Sequence, residues 1–145
     1  MIDVPPEVAI RSTIKPGSVY YFSEDSLHSS EPHYFIVINK DPLRERVVLL
    51  VCASSKIDKV KQRRRTCPVD TLIEITSSQY KDFRLNSIVD CNYLLEKTIG
   101  QLMDKLTHKQ LWLKTEMDFA LVKRLREGVL ASPLIERRIK ALLRG

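Results

Sequence analysis

"HYFIVINKDPLRERVVLLVCASS", residues 33–55, decides the fold class of this 145-residue chain. Two apolar runs, 33–39 and 46–53, are rich in Val, Ile, Tyr and Phe and short enough to read as strands. Between them "NKDPLRE" (39–45) gathers Asn39, Asp41 and Pro42. Such residues favour turns, because Asn and Asp side chains bond nearby backbone and Pro fixes φ. Strand, tight connection and strand predict an antiparallel hairpin. Antiparallel pairing brings the start of the first run to the end of the second, so His33 is expected at the same sheet edge as Ser54 and Ser55.

Working outward, "GSVYYF" (17–22), "TLIEIT" (71–76) and "NSIVDCN" (86–92) are further short apolar runs separated by turn residues. Short strands at such close spacing predict a small, strongly bent barrel or sandwich. Near residue 97 the pattern becomes helical. "TIGQLMDKL" (98–106) begins with Thr98 three residues before Gln101, the spacing of a capping box. Residues 116–130 carry Met117, Ala120, Leu121, Leu125 and Val129 at helical spacing. "SPLIERRIKALL" (132–143) places Ser132 as an N-cap and Pro133 at the first helical position, with Leu134, Ile135, Ile139, Leu142 and Leu143 on one apolar face. The expected architecture is β-rich α+β in a single domain over 1–145, with the β part at about 15–97 and added C-terminal helices at about 98–145.

Apolar residues at 43% and charged residues at 29% belong to an ordinary globular chain and exclude a disordered tail. No apolar run approaches the roughly 20 residues of a membrane helix. The opening "MIDVPPEVAIRSTIKPG" lacks the charged-then-apolar order of a secretion signal. The expectation is a cytoplasmic protein with no membrane partner. Cys52, Cys67 and Cys91, odd in number and widely spaced, argue against a disulfide framework and a cysteine zinc site. With no Gly-rich phosphate loop, His-Glu-x-x-His or Cys-x-x-Cys, neither a metal nor another cofactor is expected.

Net charge is +6, and its distribution is uneven. In "KIDKVKQRRR" (56–65), Lys56, Lys59, Lys61, Arg63, Arg64 and Arg65 face a single acid, Asp58, so five of the six net charges fall in ten residues. The segment reads as a basic loop leaving the strand edge that carries Ser54 and Ser55. Concentrated positive charge suits a polyanion, since neutralising phosphates releases condensed counterions. A solvated charged surface fits the same residues, and "KVKQRRR" also has the composition of a nuclear localisation run.

A histidine, two serines and a basic segment at one edge suit metal-free RNA cleavage. That reaction needs a base for the 2′-hydroxyl, an acid for the departing 5′-oxygen, and donors for the phosphorane. Histidine exchanges protons near neutrality, and seryl hydroxyls or Lys56 can donate to phosphoryl oxygens. The plainer alternatives are a strand-end histidine bonded to backbone and a simple strand-to-loop turn at the serines.

In their order, "KPGSVYYF", "PHYFIVINKD", "LLVCASSK", "FRLNSIVDCNYLLEKTI" and "TIGQLMDKL" resemble the MazF/PemK/Kid toxins of bacterial toxin–antitoxin pairs, over about residues 15–107. The resemblance implies a small SH3-like β-barrel, a homodimer, and a metal-independent endoribonuclease cutting RNA through 2′-hydroxyl attack, with an acidic antitoxin protein as partner. It puts the family's catalytic hydroxyl on Ser54 or Ser55 and its catalytic arginine on His33. Ser18 stands where an acid is common, and His33 lacks an arginine's permanent charge and forked geometry. Lys56 or Arg63 is placed to restore that charge. Residues 108–145 extend past the family's usual length. The expected site therefore comprises His33, Ser54 and Ser55 as catalytic residues and Lys56, Lys59, Lys61, Arg63, Arg64 and Arg65 as RNA-binding residues. The competing expectation is a non-catalytic barrel module that binds nucleic acid or an acidic protein.

Overall fold

A computed structural model describes residues 4–27 and 30–145. The hairpin forms as expected: β2 (His33–Val37) runs antiparallel to β3 (Val48–Ser54), with Tyr34 opposite Ala53 and Val37 opposite Leu50. Both faces of this pair are covered, which is why the runs are continuously apolar instead of alternating. Phe35, Val37, Val48 and Leu50 point into one core, and Ile36, Leu49 and Val51 into another. The connection is more than a turn. It holds a single-turn helix, α2 (Pro42–Glu45), capped by Asp41, whose side chain accepts from the Arg44 amide. Buried Asn39 closes it, donating to the Val47 carbonyl at 2.8 Å and accepting from the Leu49 amide at 2.9 Å.

Five more strands extend the sheet: β1 (Val19–Phe22), β4 (Leu72–Ile75), β5 (Ser87–Asp90), β6 (Leu95–Lys97) and β7 (Leu111–Lys114). Every pairing is antiparallel, in the order β4-β5-β3-β2-β1-β7, and β6 pairs with the opposite end of β3 from β5. Among the described residues nothing pairs β4 with β7, so the strands follow an open path in a β-rich α+β fold.

One core lies under α1 (Pro6–Thr13) and α4 (Ile99–Thr107), which bury Ile10 and Leu102. The other lies under α5 (Phe119–Ala131) and α6 (Arg137–Arg144), which bury Leu125, Val129, Ile139 and Leu143. The capping box of α4 is present, with Thr98 Oγ1 accepting from the Gln101 amide at 3.0 Å and Gln101 Oε1 accepting from the Thr98 amide at 2.8 Å. Where α5 passes Cys91, just beyond β5, the approach is tight: a Cβ on Gly128 would sit 2.7 Å from Cys91 Sγ.

Three expectations are corrected, and one element, α1, had not been expected at all. Residues 56–65 are not a loop; α3 (Ile57–Arg63) forms there because Ile57 and Val60 share an inward face. The N-terminal segment contains α1. The region after 97 is not wholly helical, since β7 pairs with β1 and crosses the expected boundary between strands and helices. The last helix starts at Arg137, not after Ser132. Ser132 instead closes α5, donating to buried Asn92 Oδ1 at 2.7 Å and accepting from the Leu134 amide at 3.1 Å. Among the described residues no helix is long and apolar enough to cross a membrane.

Candidate functional site

The β2–β3 register continued by one step sets His33 against Ser54. Residues directly opposite share a face, with Cβ atoms about 4.5–5.5 Å apart. Both line a cleft of about 430 Å³ together with Cys52 and Ile88, with Lys56, Lys59, Arg63 and Arg64, and with Ser26 and Tyr93. A second cleft, about 400 Å³, opens on the other face of the sheet and takes in Ser55, Tyr21, Tyr34, Phe83, Arg84 and Lys114. His33, Ser54, Lys56 and Glu31 line both, so the two clefts meet over the end of β2 and β3.

His33 Nδ1 lies 3.0 Å from the Glu31 carbonyl oxygen. A carbonyl can only accept, so Nδ1 carries the hydrogen and the neutral ring keeps its lone pair on Nε2. Ser54 Oγ accepts from the Lys56 amide at 3.1 Å, which leaves its hydroxyl hydrogen for an outside acceptor. The edge thus offers a proton acceptor and a proton donor side by side. The Cys52 thiol does not compete as a nucleophile. Burial above all, then the charge of Asp90, pushes it up to about 12 against an opposing effect of Arg63, so it stays protonated at neutral pH.

The basic residues divide into those that hold the helix and those that face the cleft. Asp90, 5% exposed at the end of β5, accepts from Arg64 Nε at 2.9 Å and from Arg63 Nη2 at 3.5 Å. Its other oxygen accepts from the Asn92 amide at 3.0 Å and from Asn92 Nδ2 at 3.1 Å. Asn92 Nδ2 also reaches Thr71 Oγ1 at 2.9 Å. This network, continued through Ser132, fixes the end of α3 to β5 and to the end of α5. Lys61 pairs with Glu74 at 3.1 Å, and Arg65 donates to the Gln62 carbonyl at 3.1 Å. Lys56 and Lys59 line the first cleft and make no ion pair with an acid among the described residues.

The structure therefore brings together His33, Ser54, Lys56, Lys59, Arg63 and Arg64. It sets Ser55 across the edge in the second cleft and leaves Lys61 and Arg65 off the cleft linings. Sequence reading missed Asp90 as the anchor of α3, and also Tyr93, Arg84 and Lys114. Asp90 had a signal, because an acid ending a buried apolar strand requires a partner. The other three come from distant segments and had none. Among the described residues no three His, Cys, Asp or Glu side chains gather into a metal-ligand set. Compared with protein-family models and with curated proteins, the chain matches none.

Proposed function

We propose that the chain is a metal-independent endoribonuclease of the MazF/PemK toxin type, an SH3-like barrel that acts as a homodimer. The observation that carries this reading is the placement of His33 beside Ser54 where two clefts meet, with the ammonium groups of Lys56 and Lys59, which pair with no acid among the described residues, next to them. His33 Nε2 takes the proton of a ribose 2′-hydroxyl, and that oxygen attacks the adjacent phosphorus. The Ser54 hydroxyl and the Lys56 ammonium donate to the non-bridging oxygens as charge gathers on them. The bond from phosphorus to the 5′-oxygen breaks, and the proton held on His33 passes to the leaving oxygen. The products are a 2′,3′-cyclic phosphate and a 5′-hydroxyl end. Ser55, across the edge, contacts a neighbouring phosphate, and the basic side chains of α3 hold the backbone. An acidic antitoxin segment would compete for the same positive cleft.

One observation favours a second reading, in which the same cleft binds RNA without cutting it. The bond from His33 Nδ1 to the Glu31 carbonyl is also what a purely structural strand-end histidine makes. Purified protein incubated with RNA, followed by end-group analysis, separates the two. Cleavage leaving cyclic phosphate ends, with His33→Ala about a hundredfold or more slower and RNA affinity retained, supports the nuclease. RNA bound by wild type and His33→Ala alike, with no cutting above a no-protein control, leaves the binding module.

A further inference from the structure

The register that builds the site also builds a row of aromatic rings. Trp112 stands opposite Tyr21, and Tyr21 opposite Tyr34, so side chains of β7, β1 and β2 lie on one face in line. Their ring centroids are 6.0 Å and 4.6 Å apart. Tyr34 is held in place by its hydroxyl, which donates to the Asp82 carbonyl at 2.9 Å, and by edge contact with Phe83 at 5.1 Å. Tyr21 is half-buried, and the Trp112 indole is 48% exposed on the outer strand of the sheet, where no core role accounts for it. Lys114 Nζ sits 5.5 Å from the Tyr21 ring centroid. The row leads into the second cleft, where Lys114 and Arg84 add positive charge, and so to the junction at His33 and Ser54.

Aromatic faces interleaved with cations suit a strand whose bases are unpaired, because every base has a face to stack while its phosphates seek the charges. Sheet aromatics that hold two or three bases this way are a recurrent means of gripping single-stranded RNA. We infer that Trp112, Tyr21 and Tyr34 form a stacking surface for unpaired bases flanking the phosphate bound at His33 and Ser54. The location of that phosphate rests on the reading under Proposed function; the stacking does not require cleavage.

Trp112 is the chain's single tryptophan, so its emission reports directly on the row. The probe is an uncleavable 2′-O-methyl RNA oligomer, compared with an abasic oligomer of equal length. Saturable quenching of Trp112 by the first and little by the second is the expected result. Trp112→Ala and Tyr21→Ala each weaken binding of a labelled oligomer by about tenfold. Trp112→Phe and Tyr21→Phe keep most of it, which also covers the case where Tyr21→Ala fails to fold. Equal quenching and affinity with the abasic oligomer overturn the inference, as do alanine variants that fold and bind like wild type. Quenching by polyglutamate and not by RNA, or an emission change with protein concentration alone, overturns it in favour of an acidic protein or a second copy on this face. Quenching by this oligomer with no cutting of its unmodified RNA counterpart sinks the nuclease and leaves the stacking surface standing; cutting of the unmodified RNA with Trp112 unaffected by the oligomer does the reverse.

Discussion

Asp90→Asn tests whether the basic helix is positioned or merely present. The Asp90 side chain is 7% exposed and its carboxylate accepts four hydrogen bonds, two from arginines and two from Asn92. A hydrogen bond to a charged group contributes about 1.5–3 kcal/mol, and removing one member of a fully buried pair costs about 3–5 kcal/mol. Here the pair is not fully buried. The Arg63 side chain is 58% exposed and rehydrates, which puts its share in the surface range of about 0–1 kcal/mol. The Arg64 side chain is 23% exposed and rehydrates in part, while Asn at position 90 keeps an acceptor for Asn92. The expected loss is about 2–3 kcal/mol, and at about 2–4 °C per kcal/mol for a chain of this length the Tm falls by about 4–12 °C. Urea and thermal melts of Asp90→Asn, Arg64→Ala and the double variant give the coupling directly. RNA affinity supplies a second readout with an opposite sign for the simplest alternative. Removing an acid makes the site more positive, so charge alone would tighten binding, whereas losing the anchor of α3 loosens it. A variant that melts within about 0.5 kcal/mol of wild type and binds RNA as tightly or more tightly would refute the anchoring argument.

Two further predictions follow from the division of the charges and from the buried thiols. Lys56→Ala with Lys59→Ala should lower the slope of log affinity against log salt by about 1.4, at about 0.7 for each single-strand phosphate contact. Lys61→Ala, whose ammonium pairs with Glu74, should leave the slope unchanged, and the reverse order would show that the phosphates lie elsewhere. Burial raises the thiols of Cys52 and Cys91 from an ordinary 9.0 to about 12, so the stability they contribute is complete below pH 9.0 and is lost as pH climbs through 12. Urea midpoints should therefore fall between about pH 8 and about pH 11, and Cys52→Ala should shrink the fall; an undiminished fall would mean that the Cys52 thiol ionises alike in the folded and unfolded chains.

Much of the fold was legible because its signals are local. The β2–β3 hairpin, the other runs up to residue 92 and the capping box at Thr98 each rest on a few consecutive residues whose preference agrees with the final structure. What was not legible depends on distant partners. "LWLK" at 111–114 is four residues long between helical segments, and only the outer side of β1 makes it a strand. Ser132 followed by Pro133 has the chemistry of a helix start, yet the buried Asn92 side chain takes the serine hydroxyl, and the helix begins only at Arg137. The SH3-like closure expected from the resemblance likewise turns on long-range pairing, of which the described strands form an open path.

The site shows the same division between local and distant causes. His33 and Ser54 were legible together because a hairpin converts positions along a short stretch into a cross-strand pair, with no need to know what else packs nearby. The charges were not, because counting six basic side chains in ten residues takes no account of an acid 25 residues beyond Arg65 in sequence and in contact in space. Asp90 turns Arg64, and in part Arg63, inward to hold α3, and Glu74 draws off Lys61. A segment that reads as a uniform basic patch is in effect a positioned helix presenting two ammonium groups and one half-exposed guanidinium to the cleft. That changes what the patch does. On the proposed reading, two or three charges placed beside His33 and Ser54 would bind one short stretch of backbone in a set register, where six free ones would hold a polyanion in many. A fixed phosphate within reach of a proton acceptor is what cleavage requires, because orienting the reacting groups removes the largest entropic part of the barrier. On the proposed reading, the arginines that hold α3 thus serve the same chemistry as the lysines that would meet the RNA backbone.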